Sequence, residues 1–152
     1  MAFQRFEDAA AACLALWALD GEARWAERRA ACLLKAADAS EAVAAAEASV
    51  KELFRAKDFA GADRVLVNVI AGPGTGSSPA QRAKWLRNRA SCLMHDDGSA
   101  AGLAAAEEAA RLSVRLEPQN PAAHEMLATV FHQMVKAGEC WRIHDEVRQM
   151  NK

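Results

Sequence analysis

Residues 23–47 read ARWAERRAACLLKAADASEAVAAAE, and residues 83–107 read AKWLRNRASCLMHDDGSAAGLAAAE. The two stretches align without a gap at an offset of 60 residues, and ten of the 25 aligned positions are identical. Several identities are alanine, which is common in this chain, but rarer residues also fall in register. Self-similarity at a fixed offset predicts stacked repeat units. The informative identities are Trp25/Trp85, Arg29/Arg89, Cys32/Cys92, Leu33/Leu93 and Glu47/Glu107.

The composition around this repeat predicts an all-α fold. Nearly a quarter of the 152 residues are alanine, the best helix former. Tyrosine is absent and aromatic residues make up only 6%, so the residue types that favour sheets are scarce. The apolar periodicity predicts eight helices. Their expected spans are 4–18, 22–37, 40–56, 59–71, 79–94, 100–116, 121–137 and 139–151.

Local start and stop signals set these boundaries. Ser78 followed by Pro79 offers a capping hydroxyl and a proline suited to the first helical position. Ser40 is the expected N-cap of the third helix, and Pro121 is expected to open the seventh. Gly138 is expected to end the seventh helix and separate it from an eighth.

The whole chain, residues 1–152, is expected to form one domain, within which residues 71–78 (AGPGTGSS) read as a flexible loop. The other connections are short, which forces consecutive helices to pack as antiparallel hairpins. The net charge is −1, so the basic surplus typical of nucleic-acid binding is absent and such a partner is not expected.

Two segments carry a family resemblance. Residues 25–35 (WAERRAACLLK) and 85–95 (WLRNRASCLMH) resemble the first helix of a tetratricopeptide (TPR) unit. That helix places a small residue three positions before a large apolar one, as Ala30 and Leu33 do here. The resemblance implies a right-handed αα superhelix of about four stacked hairpins. It also implies a non-enzymatic module that binds another protein. The register stays open around residues 40–71, where both predicted helices resemble the family's second helix.

In TPR stacks the first helices line a concave groove, and the resemblance carries this face onto predicted helices two and five. The resulting set is basic in a nearly neutral chain, which favours an acidic or C-terminal peptide segment as the partner. Residues 88–90 (NRA) also resemble co-chaperone TPRs that hold a terminal carboxylate. The groove candidates are Arg24, Arg28, Lys35, Lys84, Arg87, Asn88, Ser91 and His95.

Two other roles for a helical repeat remain open. One is a structural scaffold that self-associates through its ends, where Trp17 and Trp141 lie. The other is RNA binding by the repeat, which the charge balance disfavours.

No catalytic, cofactor or metal site is expected. The glycine-rich loop has Ser77 where a phosphate-binding loop needs lysine. Cys140 and His144 share a helix face, but zinc needs further ligands. Cys92 and His95 are three residues apart, but Cys92 is expected on the packing face of the repeat, so it is not expected to act as a catalytic nucleophile.

The four cysteines contain no CxxC pair and are expected to be reduced, which favours an intracellular, cytoplasmic protein. No apolar stretch approaches the roughly 20 residues that span a bilayer, so no membrane partner is expected.

Overall fold

The computed structural model describes residues 2–33, 35, 39–96 and 98–150, and it describes only the backbone at 2–4, 74, 75, 139–148 and 150. The described residues form seven α-helices, one 3-10 helix and no strand, which confirms the all-α prediction. The 3-10 helix, Pro73–Gly76, lies within the segment predicted to be a flexible loop. The α-helices are α1 (Ala2–Asp20), α2 (Ala23–Leu33), α3 (Ala39–Arg55), α4 (Phe59–Ala71), α5 (Pro79–Asp96), α6 (Ala100–Leu116) and α7 (Pro121–Met150).

Short polar side chains start several helices. The Ser78 hydroxyl accepts a hydrogen bond from the backbone N–H of Gln81 at 3.2 Å, which confirms the predicted start of α5. Ser99 caps α6 in the same way. Ser40 is not the cap of α3, because the helix already begins at Ala39 and so includes Ser40.

The predicted break at Gly138 is wrong, because α7 continues through it to Met150. One glycine costs a helix only about 1 kcal/mol relative to alanine, and no proline follows it here to enforce a stop. The predicted eighth helix is therefore the second half of α7. Seven described α-helices make three hairpins and one additional helix rather than four hairpins.

The helices form a stack in which each packs against the next along the chain. Alternate helices also touch, α2 with α4 and α5 with α7. Alanines at 0% exposure, including Ala30 and Ala62, let the helix axes approach closely. The larger side chains of the central core are Leu53, Val65, Leu66, Val69 and Trp85.

Two buried serines join the helices of the two repeat units. The Ser49 hydroxyl of α3 shares its proton between the Ala26 carbonyl of α2, at 2.9 Å, and the Ala45 carbonyl of its own helix, at 2.8 Å. The Ser113 hydroxyl of α6 donates to the Ala83 carbonyl of α5 at 3.2 Å. Buried hydroxyls require such partners, so each bond favours one packing of its hairpin. The two repeated stretches lie within these same pairs, residues 23–47 in α2–α3 and residues 83–107 in α5–α6.

Candidate binding cleft

An open cleft lies between α3 and α5, with α4 beneath it. It encloses about 450 Å³ of empty space, part of it open to solvent. Its floor is apolar, because Leu66 and Val69 of α4 are buried below it. We call it the α3–α5 cleft. Its lining residues are Ala46, Glu47, Val50, Lys51, Leu66, Val69, Lys84, Trp85 and Asn88.

The rim of the α3–α5 cleft is basic. Lys51 and Lys84 are exposed on opposite sides, on α3 and α5. Arg55 follows Lys51 by one helical turn and lines an adjoining hollow with Phe54 and Asn88. Arg55 is ion-paired with Glu52 of the same helix and remains largely exposed. The cleft thus combines an apolar floor with exposed cations and the half-buried amide of Asn88.

Glu47 of α3 forms hydrogen bonds to α5 across the cleft. Its Oε1 accepts a hydrogen bond from the indole Nε1 of Trp85 at 3.1 Å and another from the side chain of Gln81. This carboxylate is therefore occupied within the protein. The bonds also hold Trp85 in place as a rigid part of the cleft wall.

Three rings are in contact beside the adjoining hollow, which Phe54 lines. The Phe54 ring meets the Phe59 ring edge to face, with centroids 5.6 Å apart. The His95 ring lies 5.2 Å from Phe59. Because Lys84, Asn88, Ser91 and His95 are three or four residues apart, they follow one face of α5. Four of the predicted residues therefore share a single helix face.

Arg87 belongs to the packing between α5 and α6. Its Nη1 donates to Glu117 at 3.0 Å and lies 3.5 Å from the Ser113 hydroxyl. Hydrogen bonds from Asn120 and then from Arg87 lower the pKa of Glu117, so this carboxylate stays charged at neutral pH. Arg89, within the NRA triplet, donates to Asp63 at 3.0 Å. Both guanidinium groups are thus paired with carboxylates of this chain and do not line the cleft.

The three candidates on and after α2 lie elsewhere, beside α1 and Trp25. The guanidinium groups of Arg24 and Arg28 each lie 5.0 Å from the centre of the Trp25 ring. The Lys35 ammonium lies 5.6 Å from the Phe6 ring of α1. The structure therefore divides the predicted groove residues among three places: the face of α5 that borders the cleft, the packing between α5 and α6, and the region beside α1 and Trp25.

Sequence reasoning missed the cations that α3 contributes, which are Lys51 in the cleft and Arg55 in the adjoining hollow. The resemblance places the concave face on predicted helices two and five and does not extend it to α3. The signal was present in the spacing of Glu47, Lys51 and Arg55, which are four residues apart and share a helix face. What the spacing alone does not reveal is that this face lies opposite α5.

The part of the chain that the structure describes also bears on the expectations for metal ligands and for Cys92. There, His, Cys, Asp and Glu do not gather in threes that could hold a metal ion. Burial, followed by the nearby Asp63 charge, raises the pKa of Cys92 to about 12, so its thiol stays protonated at neutral pH. The side chains of Cys140, Trp141 and His144 lie outside the described residues.

Searches with this chain found no matching family model, curated protein or solved structure. Over the described residues, no helix has the length and apolarity needed to cross a membrane.

Proposed function

We propose that this chain is a TPR-like protein-binding array whose α3–α5 cleft holds an acidic segment of a partner protein. The observation that carries the proposal is the cleft itself, in which an apolar floor lies between exposed Lys51 and Lys84. An acidic segment with an apolar side chain matches both features, because the side chain covers the floor and its carboxylates meet the rim.

The superhelical arrangement is part of this proposal. The contacts between alternate helices, α2 with α4 and α5 with α7, support a stacking of hairpins. In the proposed array, α3 and α5 border the surface that receives the partner. The role needs no catalysis or cofactor, and it is compatible with the free thiols in a reducing, cytoplasmic setting.

A double charge reversal tests the binding role. The Lys51→Glu/Lys84→Glu variant is expected to bind its partner about 100-fold more weakly, because like charges in an interface cost several kcal/mol. The measurement is affinity capture from a lysate, followed by titration of the captured protein. Wild-type binding is also expected to weaken as salt is raised, since the rim is exposed.

The matched control is Arg115→Glu/Lys136→Glu, which changes the net charge equally at exposed positions on α6 and α7. It is expected to keep the partner. Circular dichroism of both variants verifies that the helices remain folded. If the folded cleft variant captures the same partner as strongly as the control, the cleft is not the binding site.

A second candidate function is a scaffold that assembles through its ends. It rests on large apolar side chains exposed on the two outermost described helices. Leu14 and Leu19 of α1 are 45% and 83% exposed, and Val135 of α7 is 61% exposed. Sedimentation distinguishes the candidates, because a scaffold self-associates with rising concentration whereas a cleft binder stays monomeric.

A further inference from the structure

Two thiols on neighbouring helices face each other across the α1–α2 hairpin. Cys13 of α1 and Cys32 of α2 are both free and both half-buried. Cys32 packs against the buried cluster that contains Ala10 of α1. Cys13 follows Ala10 by three residues and so lies on the same face of α1, and the two thiols are close enough to influence each other electrostatically. A third free thiol, Cys92, is fully buried in the central core. Cys13 and Cys32 thus form a partly accessible thiol pair, set apart from the α3–α5 cleft.

Contacts between α1 and the α2 region lie on both sides of the two cysteines along the hairpin. Near the turn, the Trp25 indole Nε1 donates to the Asp20 carboxylate at 2.6 Å. Farther from the turn, Lys35 lies over the Phe6 ring. Gly21, with φ of 68°, supplies the left-handed residue that reverses the chain. The two cysteines lie between these contacts, at matching heights on antiparallel helices.

The surroundings of the pair are mainly apolar, with one cation. Ala10 of α1, Leu33 of α2 and Ala42 of α3 are buried around Cys32. Burial, and then the neighbouring Cys32, raise the pKa of the Cys13 thiol, while the Arg28 charge acts in the opposite direction. The thiol form therefore predominates at neutral pH, and the reactive thiolate grows as the pH rises.

We propose that Cys13 and Cys32 are a redox-modification site, at which hydrogen peroxide joins the two sulfurs in a reversible disulfide between α1 and α2. One thiolate attacks a peroxide oxygen, the O–O bond breaks, and a sulfenic acid and hydroxide form. The second sulfur then attacks the sulfenic sulfur, the S–S bond forms, and hydroxide leaves and takes up the released proton as water. Two thiols lose two electrons, and one peroxide becomes two waters.

A disulfide between Cys13 and Cys32 would link α1 covalently to α2. Ala10 is the one residue of α1 that is buried among those whose side chains are described, and α2 is the main packing partner of α1. A covalent link between residues 13 and 32 closes a short loop and restricts separation of the two helices. Oxidation would therefore regulate whether the α2 face beneath α1 opens to solvent.

The test oxidises the reduced full-length chain with one equivalent of hydrogen peroxide, then blocks the remaining thiols with an alkylating reagent. We expect an intact mass lower by two hydrogen atoms before alkylation, a Cys13–Cys32 linked peptide, and full reversal by dithiothreitol. The rate is expected to rise roughly tenfold per pH unit while the thiol form predominates. Cys140→Ser is expected to keep the bridge, and Cys13→Ser and Cys32→Ser each to lose it.

A bridge that involves Cys92 or Cys140, a purely intermolecular bridge, or sulfinic acid without any bridge would overturn the proposal. An aryl arsenical that needs two close thiols gives a second measurement on the wild-type chain, independent of how the serine variants fold. One equivalent is expected to protect Cys13 and Cys32 together from alkylation. Alkylation of both thiols at unchanged rates would count against the pair.

Discussion

Trp25 and Trp85 occupy the same position of the repeat but lie in different surroundings. Trp85 is 1% exposed and packs with the core side chains of α3 and α4, whereas Trp25 is half-buried beside α1. The indole of Trp85 donates to Glu47, and that of Trp25 donates to Asp20 at the hairpin turn. The difference follows from the stack, because α5 packs onto preceding repeat helices and α2 is preceded by α1.

Truncation of the two tryptophans should therefore have unequal effects. Trp85→Ala is expected to lower the free energy of unfolding by about 3–5 kcal/mol, because it leaves a cavity in the core. Trp25→Ala is expected to cost roughly 1–2 kcal/mol, from the loss of partial burial and of the contacts with Arg24 and Arg28. Urea unfolding monitored by circular dichroism measures both. Equal losses would show that the two repeat units place their tryptophans alike.

Some helix boundaries were accessible from local sequence signals, although the capping signal at Ser40 was one residue late for α3. Ser78 and Pro79 start α5 as predicted, because capping depends on residues within one turn. Gly138 misled the prediction, since glycine weakens a helix without ending it. An element boundary is thus predictable when a side chain satisfies backbone groups, and less so when it depends on one flexible residue.

The continuity of α7 makes Gly138→Ala a stabilising change. Among the described residues, and apart from the two chain neighbours and the backbone of α7 itself, no atom lies within 4 Å of the position that an added Cβ would occupy, and Gly138 is exposed. The helix is expected to gain up to about 1 kcal/mol, as the propensity difference between the residues predicts. Circular dichroism at 222 nm and the urea midpoint should both increase. A fall in helicity would indicate that the chain needs glycine there to break the helix.

The position of the cleft belongs to the scale of the whole molecule. The sequence predicted the α5 face that carries Lys84 and Asn88, but it gave no sign that Lys51 would lie opposite. Charges on one helix share a face because of the helical period, which is a local property. Which faces meet depends on how three helices cross, and that is set by packing between residues far apart in the chain.

The same stack predicts how local stability varies along the molecule. Helix α4 packs against α2, α3 and α5 and buries five residues, whereas α1 packs mainly against α2. Local opening of α1 should therefore cost much less free energy than opening of α4. In hydrogen exchange followed by mass spectrometry, the amides of α1 are expected to exchange at least about 100-fold faster than those of α4.

Oxidation of the Cys13–Cys32 pair tests why α1 should exchange its amide hydrogens faster than α4. If α1 exchanges quickly because it separates from α2, the disulfide should slow exchange in α1 and leave α4 unchanged. If α1 instead frays as an isolated helix, the bridge should slow only amides near residue 13. Equal protection of α1 and α4 in the reduced chain would contradict the gradient itself. It would mean that the first helix is held as firmly as the central ones, despite having fewer packing partners.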